Sequence, residues 1–328
     1  MSFFSKIMLT FAFRIRILTV KSLFMNSRKL MHQLFEKKLL CLLLIATMGY
    51  LAYHNWPPKA TAKAPKSIKG GWRLVWFDEF DEDGSLDSDK WDFEKGFVRN
   101  YEEQWYTSEN AFQRDGKLVI EARKTAFPCP AYREDESNWR TSREWVEWTS
   151  ASVITKGKFS FLYGRIEVSA RIPVCKGAWP AIWLLGSDLP WPANGEIDML
   201  EYYQYQGKPT ILANACWAGD TEEDTQWDSS YTPLTHFSDR DPAWATRFHV
   251  WRMDWDPDYI RLYLDDELLN QVDLKRTING KARGAGINPF HSPQYLLLNL
   301  ALDTRVKELN PADFPMRYEI DYVRVYQK

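Results

Sequence analysis

Apolar and polar residues alternate along much of the chain after residue 70, which is the period of a half-buried β-strand. The run from Ile166 to Ile172 has an apolar residue at every second position, and the run from Val250 to Trp255 alternates in the same way. The run from Tyr295 to Leu302 is almost continuously apolar. That pattern favours a strand buried on both faces.

Turn signals and the lack of helical periodicity extend this interpretation. Ile260, Leu262 and Leu264 alternate with polar residues, and Asp265-Asp266 then predict a turn into a partner strand over 267–272. No stretch after residue 70 shows three turns of amphipathic helix. Many short strands in one block of about 260 residues predict an all-β, antiparallel sandwich or barrel.

A polar, irregular stretch interrupts the strand pattern between Lys124 and Ser150. It predicts a long loop, and long loops in compact domains are often functional.

The start of the chain has a different character. An apolar run from Leu39 to Tyr53 directly follows Lys37 and Lys38. A basic flank before about fifteen apolar residues is typical of a signal peptide, and the run is short for a bilayer span of about 20 residues. The small-residue motif at 60–62 lies well beyond it, so an uncleaved membrane anchor is a second interpretation.

Both interpretations place the rest of the chain outside the cytoplasm, either exported or attached to a membrane through residues 39–53. We expect three segments: a signal peptide or anchor region over 1–56, a linker rich in proline and lysine over 57–69, and one folded domain over 70–328. The basic region before this run is longer than usual, so Met25 or Met31 is a candidate for the true start.

The composition argues against several classes of function. With 42 basic and 44 acidic residues, the formal charge of −2 gives no general attraction to nucleic acid, and no obligate protein partner is indicated. The five histidines show no metal-site spacing, and no HExxH, GxSxG, CxxC or phosphate-loop motif occurs. The 16 Trp and 16 Tyr residues suit either sugar stacking or a β-sheet core.

Three cysteines follow the apolar run: Cys129, Cys175 and Cys216. An odd number permits at most one internal disulfide, and their spacing does not indicate which pair.

Three carboxylates lie within six residues, at Glu196, Asp198 and Glu201. On a regular strand Glu196 and Asp198 share a face, whereas Glu201 points to the opposite face. One extra residue, a β-bulge near Met199, would return Glu201 to the same row. Three acids in one row repel one another, so a purely structural purpose is a poor explanation.

Carboxyls on adjacent sites of one strand face lie roughly 5–5.5 Å apart, the spacing of a retaining glycosidase, in which one acts as nucleophile and the other as acid and then base. A third carboxylate between them can bind the nucleophile and raise the pKa of the acid.

The segment Glu-Ile-Asp-Met-Leu-Glu at 196–201 resembles the signature of glycoside hydrolase family 16, in the bulged form typical of laminarinase-like members. Further motifs resemble this family in the matching order, at 76–80, 100–107, 163–165, 179–183, 296–301 and 320–326. The resemblance implies a concanavalin A-like β-jelly-roll with a substrate cleft across its concave sheet. At matching positions it implies Glu196 as nucleophile, Asp198 as helper and Glu201 as acid/base.

Aromatic and amide side chains near these motifs are candidate sugar contacts. Trp179 and Trp183 share one strand face, where they could stack on sugars or fill a core, and Trp191 precedes the catalytic strand. Asn100 matches a family position that hydrogen-bonds donor-side sugars, and Trp105 lies close to it in the sequence.

Two departures from the family pattern bear on the substrate. The histidine that laminarinases usually carry after the catalytic strand is absent, and residues 213–217 stand in its region. The usual glycine pair after residues 296–301 is replaced by Leu302-Asp303-Thr304. Asn214, Cys216 and the long loop predicted between Lys124 and Ser150 could supply other polar partners.

The resemblance also suggests a structural calcium ion away from the cleft, since Glu79 and Asp321 match family positions that hold one. Ordinary surface acids are the alternative. We expect no cofactor for catalysis.

The sequence therefore predicts an endo-acting, retaining β-glycanase acting on a polysaccharide. The first candidate substrate is a laminarin-type β-1,3-glucan, and a galactan or galactose/N-acetylglucosamine chain is the second. A non-catalytic jelly-roll lectin and a transglycosylase are the alternatives in function.

Overall fold

The computed structural model describes residues 66–134, 137–305 and 309–328. The predicted segment 1–56, with its apolar run, lies outside the described residues, as does most of the predicted linker. Ser67 and Ile68, at the end of that linker, already pair with Arg73 and Trp72. No helix among the described residues is long and apolar enough to cross a membrane.

Eighteen strands make up the described chain, and helices are short. The strands are β1 (Ser67–Ile68), β2 (Trp72–Asp78), β3 (Asp92–Phe93), β4 (Trp105–Tyr106), β5 (Ala111–Gln113), β6 (Leu118–Pro128), β7 (Trp145–Ser150), β8 (Ser152–Ile154), β9 (Gly164–Arg171), β10 (Ala178–Gly186), β11 (Glu196–Tyr205), β12 (Lys208–Ala218), β13 (Thr225–Pro233), β14 (His249–Trp255), β15 (Tyr259–Leu264), β16 (Glu267–Asp273), β17 (Gln294–Leu302) and β18 (Met316–Gln327). The α-helices are α1 (Thr235–Ser238) and α2 (Lys281–Gly284), and the 3₁₀ helices are Ser108–Asn110, Trp244–Thr246, Leu274–Arg276, Pro289–His291 and Pro311–Asp313.

The strands form two sheets that pack as a sandwich. The eleven-stranded sheet has the main order β16-β15-β14-β9-β18-β6-β7-β4, with β1, β2 and β5 beside this path. The seven-stranded sheet has the order β13-β12-β11-β10-β17-β8-β3. The strands pair antiparallel except for β4 with β7. The predicted all-β antiparallel sandwich is therefore confirmed.

The core lies between the sheets and follows the predicted alternation. Ile166, Val168 and Trp251 point inward from the eleven-stranded sheet, and Ile182 and Ile197 meet them from the seven-stranded sheet. Every residue of β17 is buried, as its continuous apolar run predicted. Because one face of β10 and β11 fills the core, the other face is left for a functional site.

The predicted turn at Asp265-Asp266 is confirmed. Both residues have positive φ, 47° and 68°, and they connect β15 to β16. Aspartate tolerates this left-handed conformation better than bulkier side chains do.

The predicted loop from Lys124 to Ser150 is wrong at both ends. Strand β6 continues to Pro128 and β7 already begins at Trp145, so the connection covers only 129–144. Residues 124–128 alternate exposed and partly buried positions, β7 begins with the same alternation of exposed and buried residues, and the exposed positions include charged side chains. Because these strand ends have one face in solvent, their polar composition resembled that of a loop and misled the prediction. Cys129, Cys175 and Cys216 are all free, so the one disulfide that their number permitted is absent.

Candidate active site

A β-bulge in β11 aligns the three acidic side chains. Asp198 pairs with Asn214 of β12, whereas Glu201, three residues later, pairs with Leu212, only two residues away. On the other side the register with β10 also skips Met199. The predicted bulge is confirmed, and it places Glu196, Asp198 and Glu201 on the face away from the core.

Neutral donors bind the three carboxylates. Trp191 Nε1 donates to Glu196 Oε2 at 2.8 Å, and Trp179 Nε1 donates to Glu201 Oε1 at 2.9 Å. Asn214 Nδ2 lies 3.3 Å from Asp198 Oδ2 and 3.1 Å from Glu201 Oε2. Within the described residues, none of the three carboxylates has a salt-bridge partner within 4 Å.

Burial and mutual repulsion hold protons on this row. Burial, reinforced by the charge of Glu201, raises the pKa of Glu196 to about 7. Burial raises the pKa of Glu201 to about 7, while Trp179 and Arg305 oppose the rise. Burial and the two glutamates raise the pKa of Asp198 well above its usual value. Near neutral pH the row can therefore hold one ionised and one protonated glutamate together, as acid-base chemistry on two carboxyls requires.

The row forms the floor of a cavity of about 560 Å³ that is rich in aromatic rings. Trp179, Trp191, Tyr203 and Trp227 line it together with the three acids. Trp191 and Trp227 are close to half exposed, so their rings are accessible to a ligand. This combination of apolar rings and a few converging polar groups is typical of a ligand site.

The structure brings Trp183 to the cavity but covers most of its ring. Trp183 is 8% exposed, and its Nε1 donates to Asn299 Oδ1 at 2.7 Å. The Arg99 guanidinium lies 4.9 Å from the centre of the ring. Trp183 therefore supports the cavity wall more than it offers a stacking face, whereas Trp179 remains partly exposed.

The predicted amide contacts have different positions. Asn100 lines the cavity, and its Nδ2 donates to Glu102 Oε1 at 3.1 Å. Asn214 is 3% exposed below the acidic row, where its amide binds carboxylates. Cys216 pairs in register with Glu196 but is fully buried, and burial raises the pKa of its thiol.

Trp105 is not among the residues that line the cavity. Its ring meets Phe97 edge-on, with centroids 5.3 Å apart, in a small cluster with Cys129 and Val146. Its expected role in sugar binding therefore has no support in the geometry, because nearness to Asn100 in the sequence does not give it the same orientation.

Several cavity residues were absent from the sequence prediction. These are Arg99, Glu102, Arg140, Tyr203, Trp227, Asn299 and Arg305. Of these, Arg140 belongs to the 129–144 connection, so that segment does reach the site. Local signals existed for some of them: Tyr203 lies two residues after Glu201, and Glu102 and Asn299 lie within the motifs at 100–107 and 296–301. Trp227 and Arg305 lie outside every quoted motif.

The residues suggested for calcium do not fit a metal site. The Glu79 carboxylate accepts Nε and Nη2 of Arg324, each at 2.7 Å, and Ser169 Oγ lies 3.5 Å from Asp321 Oδ2. Over the described ranges, no group of three or more His, Cys, Asp or Glu side chains could hold a metal ion. The guanidinium already neutralises Glu79, so the calcium expectation is not supported.

A two-sheet β-sandwich with paired glutamates in an aromatic cleft defines a glycoside hydrolase, which acts through carboxyls without a cofactor for catalysis. The chain belongs to glycosyl hydrolases family 16, whose model matches residues 97–324. The predicted family and jelly-roll fold are thereby confirmed.

Relatives in sequence and structure include enzymes named for different glycans. A β-glucanase of Rhodothermus marinus is 35% identical over 274 residues, covering 78% of this chain and 85% of that protein. The laminarinase catalytic domain of Thermotoga maritima has a TM-score of 0.61 at 32% identity, covering 78% of this chain and 98% of that one.

A third relative comes from work on endo-acting O-glycanases with which human gut bacteria initiate mucin breakdown. Its structure has a TM-score of 0.71 at 36% identity, covering 80% of this chain and 94% of that one.

Proposed function

We propose that this glycoside hydrolase is an endo-acting, retaining β-glycanase that prefers a laminarin-type β-1,3-glucan. The bulged row of Glu196, Asp198 and Glu201 on the floor of an aromatic cleft carries the proposal. Adjacent carboxyls on one strand face leave no room for a water molecule between a base and the sugar, so double displacement is the mechanism that this arrangement favours.

The two glutamates take different roles in that mechanism. The Glu196 carboxylate attacks the anomeric carbon while Glu201 gives its proton to the departing glycosidic oxygen. The resulting Glu201 carboxylate then takes a proton from water, whose oxygen attacks the same carbon and releases Glu196. The sugar keeps its β configuration because the anomeric carbon is inverted twice.

Asp198 assists both steps from its buried position between the glutamates. Burial and both neighbouring charges raise the pKa of Asp198 well above its usual value, which favours its protonated form. A protonated carboxyl can donate a hydrogen bond to the carboxylate of Glu196 and so favour its return as a leaving group.

Four observations bear on the identity of the glycan, two for each candidate. The β-glucanase and laminarinase relatives support a glucan, and the accessible rings of Trp191 and Trp227 suit stacking on its sugar faces. The missing histidine and the relative named for mucin breakdown favour the second candidate, a galactan or galactose/N-acetylglucosamine chain. Glucose and galactose differ in one hydroxyl orientation, which a hydrogen-bonding site can discriminate strongly.

A substrate panel tests this proposal. The purified protein should release several oligosaccharide sizes from laminarin early in digestion, with the β-anomer appearing first by NMR, while Glu196→Gln should release none. If laminarin stays intact and a galactan or poly-N-acetyllactosamine is cut, the second candidate is correct. If every glycan stays intact but slows the protein in affinity electrophoresis, the chain is a binding protein and the catalytic proposal is wrong.

We also propose that the domain acts outside the cytoplasm, on the strength of the basic flank and apolar run at 37–53. Cell fractionation followed by detection with an antibody against the domain should find the protein outside the cytoplasmic fraction. A mature protein that begins after residue 60 would indicate cleavage, and full-length protein in the membrane fraction would indicate an anchor.

A further inference from the structure

A buried aspartate holds an arginine at the edge of the active-site cavity. Asp303, directly after β17, is 1% exposed. Its Oδ1 accepts the backbone N–H of Arg305 at 2.9 Å and Nε of the same residue at 2.7 Å. Two bonds from one buried oxygen fix both the backbone and the guanidinium, although half of the Arg305 side chain faces solvent.

The guanidinium lies against two aromatic rings of the cavity. It is 4.8 Å from the ring centre of Trp179 and 4.1 Å from that of Tyr203. The two rings meet each other edge-on, with centroids 5.2 Å apart. Cation–π contacts of this kind stabilise the positions of both partners.

The same indole that contacts Arg305 binds the catalytic acid. Trp179 Nε1 donates to Glu201 Oε1 at 2.9 Å. A continuous set of contacts therefore runs from Asp303 through Arg305 and Trp179 to Glu201. A guanidinium on a face of Trp179 also competes with any sugar for that face.

We infer that Arg305 is a positioning residue, which Asp303 holds so that the Trp179 indole keeps Glu201 oriented as the proton donor. The inference rests on the proposed role of Glu201. Its basis is the geometry. Separately, the charge of Arg305 favours the ionised form of Glu201 and so opposes the rise in pKa that burial causes.

Other groups also face Glu201 and set the background for any pH effect. They are Glu196, Asp198 and Tyr203 on β11, Trp179 on β10, Asn214 on β12, Glu102 before β4, and Arg305 after β17. Among those groups Arg305 is the cation, so its replacement removes the positive charge that opposes the acids.

The test compares two leaving groups in the full-length protein. An oligosaccharide leaving group needs a proton from Glu201, whereas a dinitrophenolate leaves without one. Arg305→Met should lower kcat/KM for the polysaccharide about tenfold or more but change kcat/KM for a dinitrophenyl β-glycoside less than about twofold. Removal of the cation should raise the pKa of Glu201, so the alkaline limb of the pH profile should move to higher pH.

Two further variants separate charge from geometry. Arg305→Lys keeps the charge, so its alkaline limb should stay near the wild-type position while its kcat is partly reduced. Asp303→Asn removes the fixed ion pair and should show the same leaving-group selectivity as Arg305→Met. A matched control is Arg261→Gln, because Arg261 also pairs with an aspartate, Asp256 at 3.0 Å, and lies 4.6 Å from the Tyr259 ring, but on the eleven-stranded sheet.

The possible failures are distinguishable. Equal losses on both substrates with a raised KM would make Arg305 a sugar contact and overturn the inference. Unchanged kinetics in a folded Arg305→Met protein would overturn it as well. If Glu201→Gln itself lacks the leaving-group selectivity, the proposed role of Glu201 is wrong, and that result does not depend on any Arg305 variant.

Discussion

Acidic side chains have different kinds of partner on the outer faces of the two sheets. On the eleven-stranded sheet, acids are paired with arginines on neighbouring segments: Asp254 with Arg165, Glu319 with Arg171, Glu121 with Arg317, and Glu79 with Arg324. On the seven-stranded sheet, Glu196, Asp198 and Glu201 bind only indole and amide donors. On the eleven-stranded sheet each of these carboxylates is therefore neutralised by a guanidinium, whereas on the seven-stranded sheet the three carboxylates repel one another.

The comparison shows how one residue type serves stability on one face and chemistry on the other. A guanidinium beside a carboxylate favours the ionised form, and two of them lower the pKa of Glu121 even though burial opposes the change. Without such partners, the row on β11 keeps raised pKa values and can exchange protons near neutral pH. Perturbed carboxyls in a cleft are what acid-base catalysis needs.

The largest expected effect comes from breaking the uncompensated row. Glu196→Gln and Glu201→Gln should each lower kcat on the polysaccharide by about 10³-fold or more, because each removes a group that takes part in bond making. Glu196→Ala with azide should give the α-glycosyl azide, since azide attacks from the vacated side, and Glu201→Ala should not. An α-azide from the Glu201 variant instead would exchange the two roles.

A smaller effect is expected from breaking one compensated pair. Arg324→Gln should lower the free energy of unfolding by about 2 kcal/mol, because it leaves the carboxylate of Glu79 without its partner in a mostly buried position. Its kcat should match the wild type.

Chelation should leave the Tm of the wild-type protein unchanged, and a fall in Tm with chelator would show that calcium does bind.

The smallest effect concerns stability against pH. Glu201 has a folded-state pKa of about 7, above the value near 4.5 of an exposed glutamate, so its ionisation costs stability as the pH rises through 7. Glu201→Gln should therefore unfold at about the same temperature as the wild type at pH 4 but be more stable at pH 8, by about 1 kcal/mol because the carboxyl keeps some solvent contact. Equal melting curves at both pH values would contradict the raised pKa.

Sequence periodicity, together with the bulged family signature, predicted the acidic row. The side-chain period of two sends Glu201 to the opposite face of a regular strand, one extra residue near Met199 returns it to the row, and the register shows such a residue. The local rule works because all three acids belong to one strand. The strands at 164–171, 249–255 and 294–302 were predictable for the same reason.

The walls of the site depend on contacts that no local pattern contains. Arg305 reaches Trp179 from 126 positions away in the sequence, and Trp227 belongs to the edge strand β13. Which strands become neighbours is decided by packing of the whole sandwich. Trp105 illustrates the opposite error, since its position near Asn100 in the chain does not bring its ring to the cavity.

Strand β18 has a consequence for synthesis of the protein. Its first half pairs with β6, its second half with β2, and β9 pairs along most of its length. The eleven-stranded sheet therefore cannot close until residues 316–327 have left the ribosome, although β2 emerged more than 200 residues earlier. The early strands therefore stay unpaired for most of translation, and they must be protected from wrong pairing during that time. Folding of this domain is consequently a late event in its synthesis.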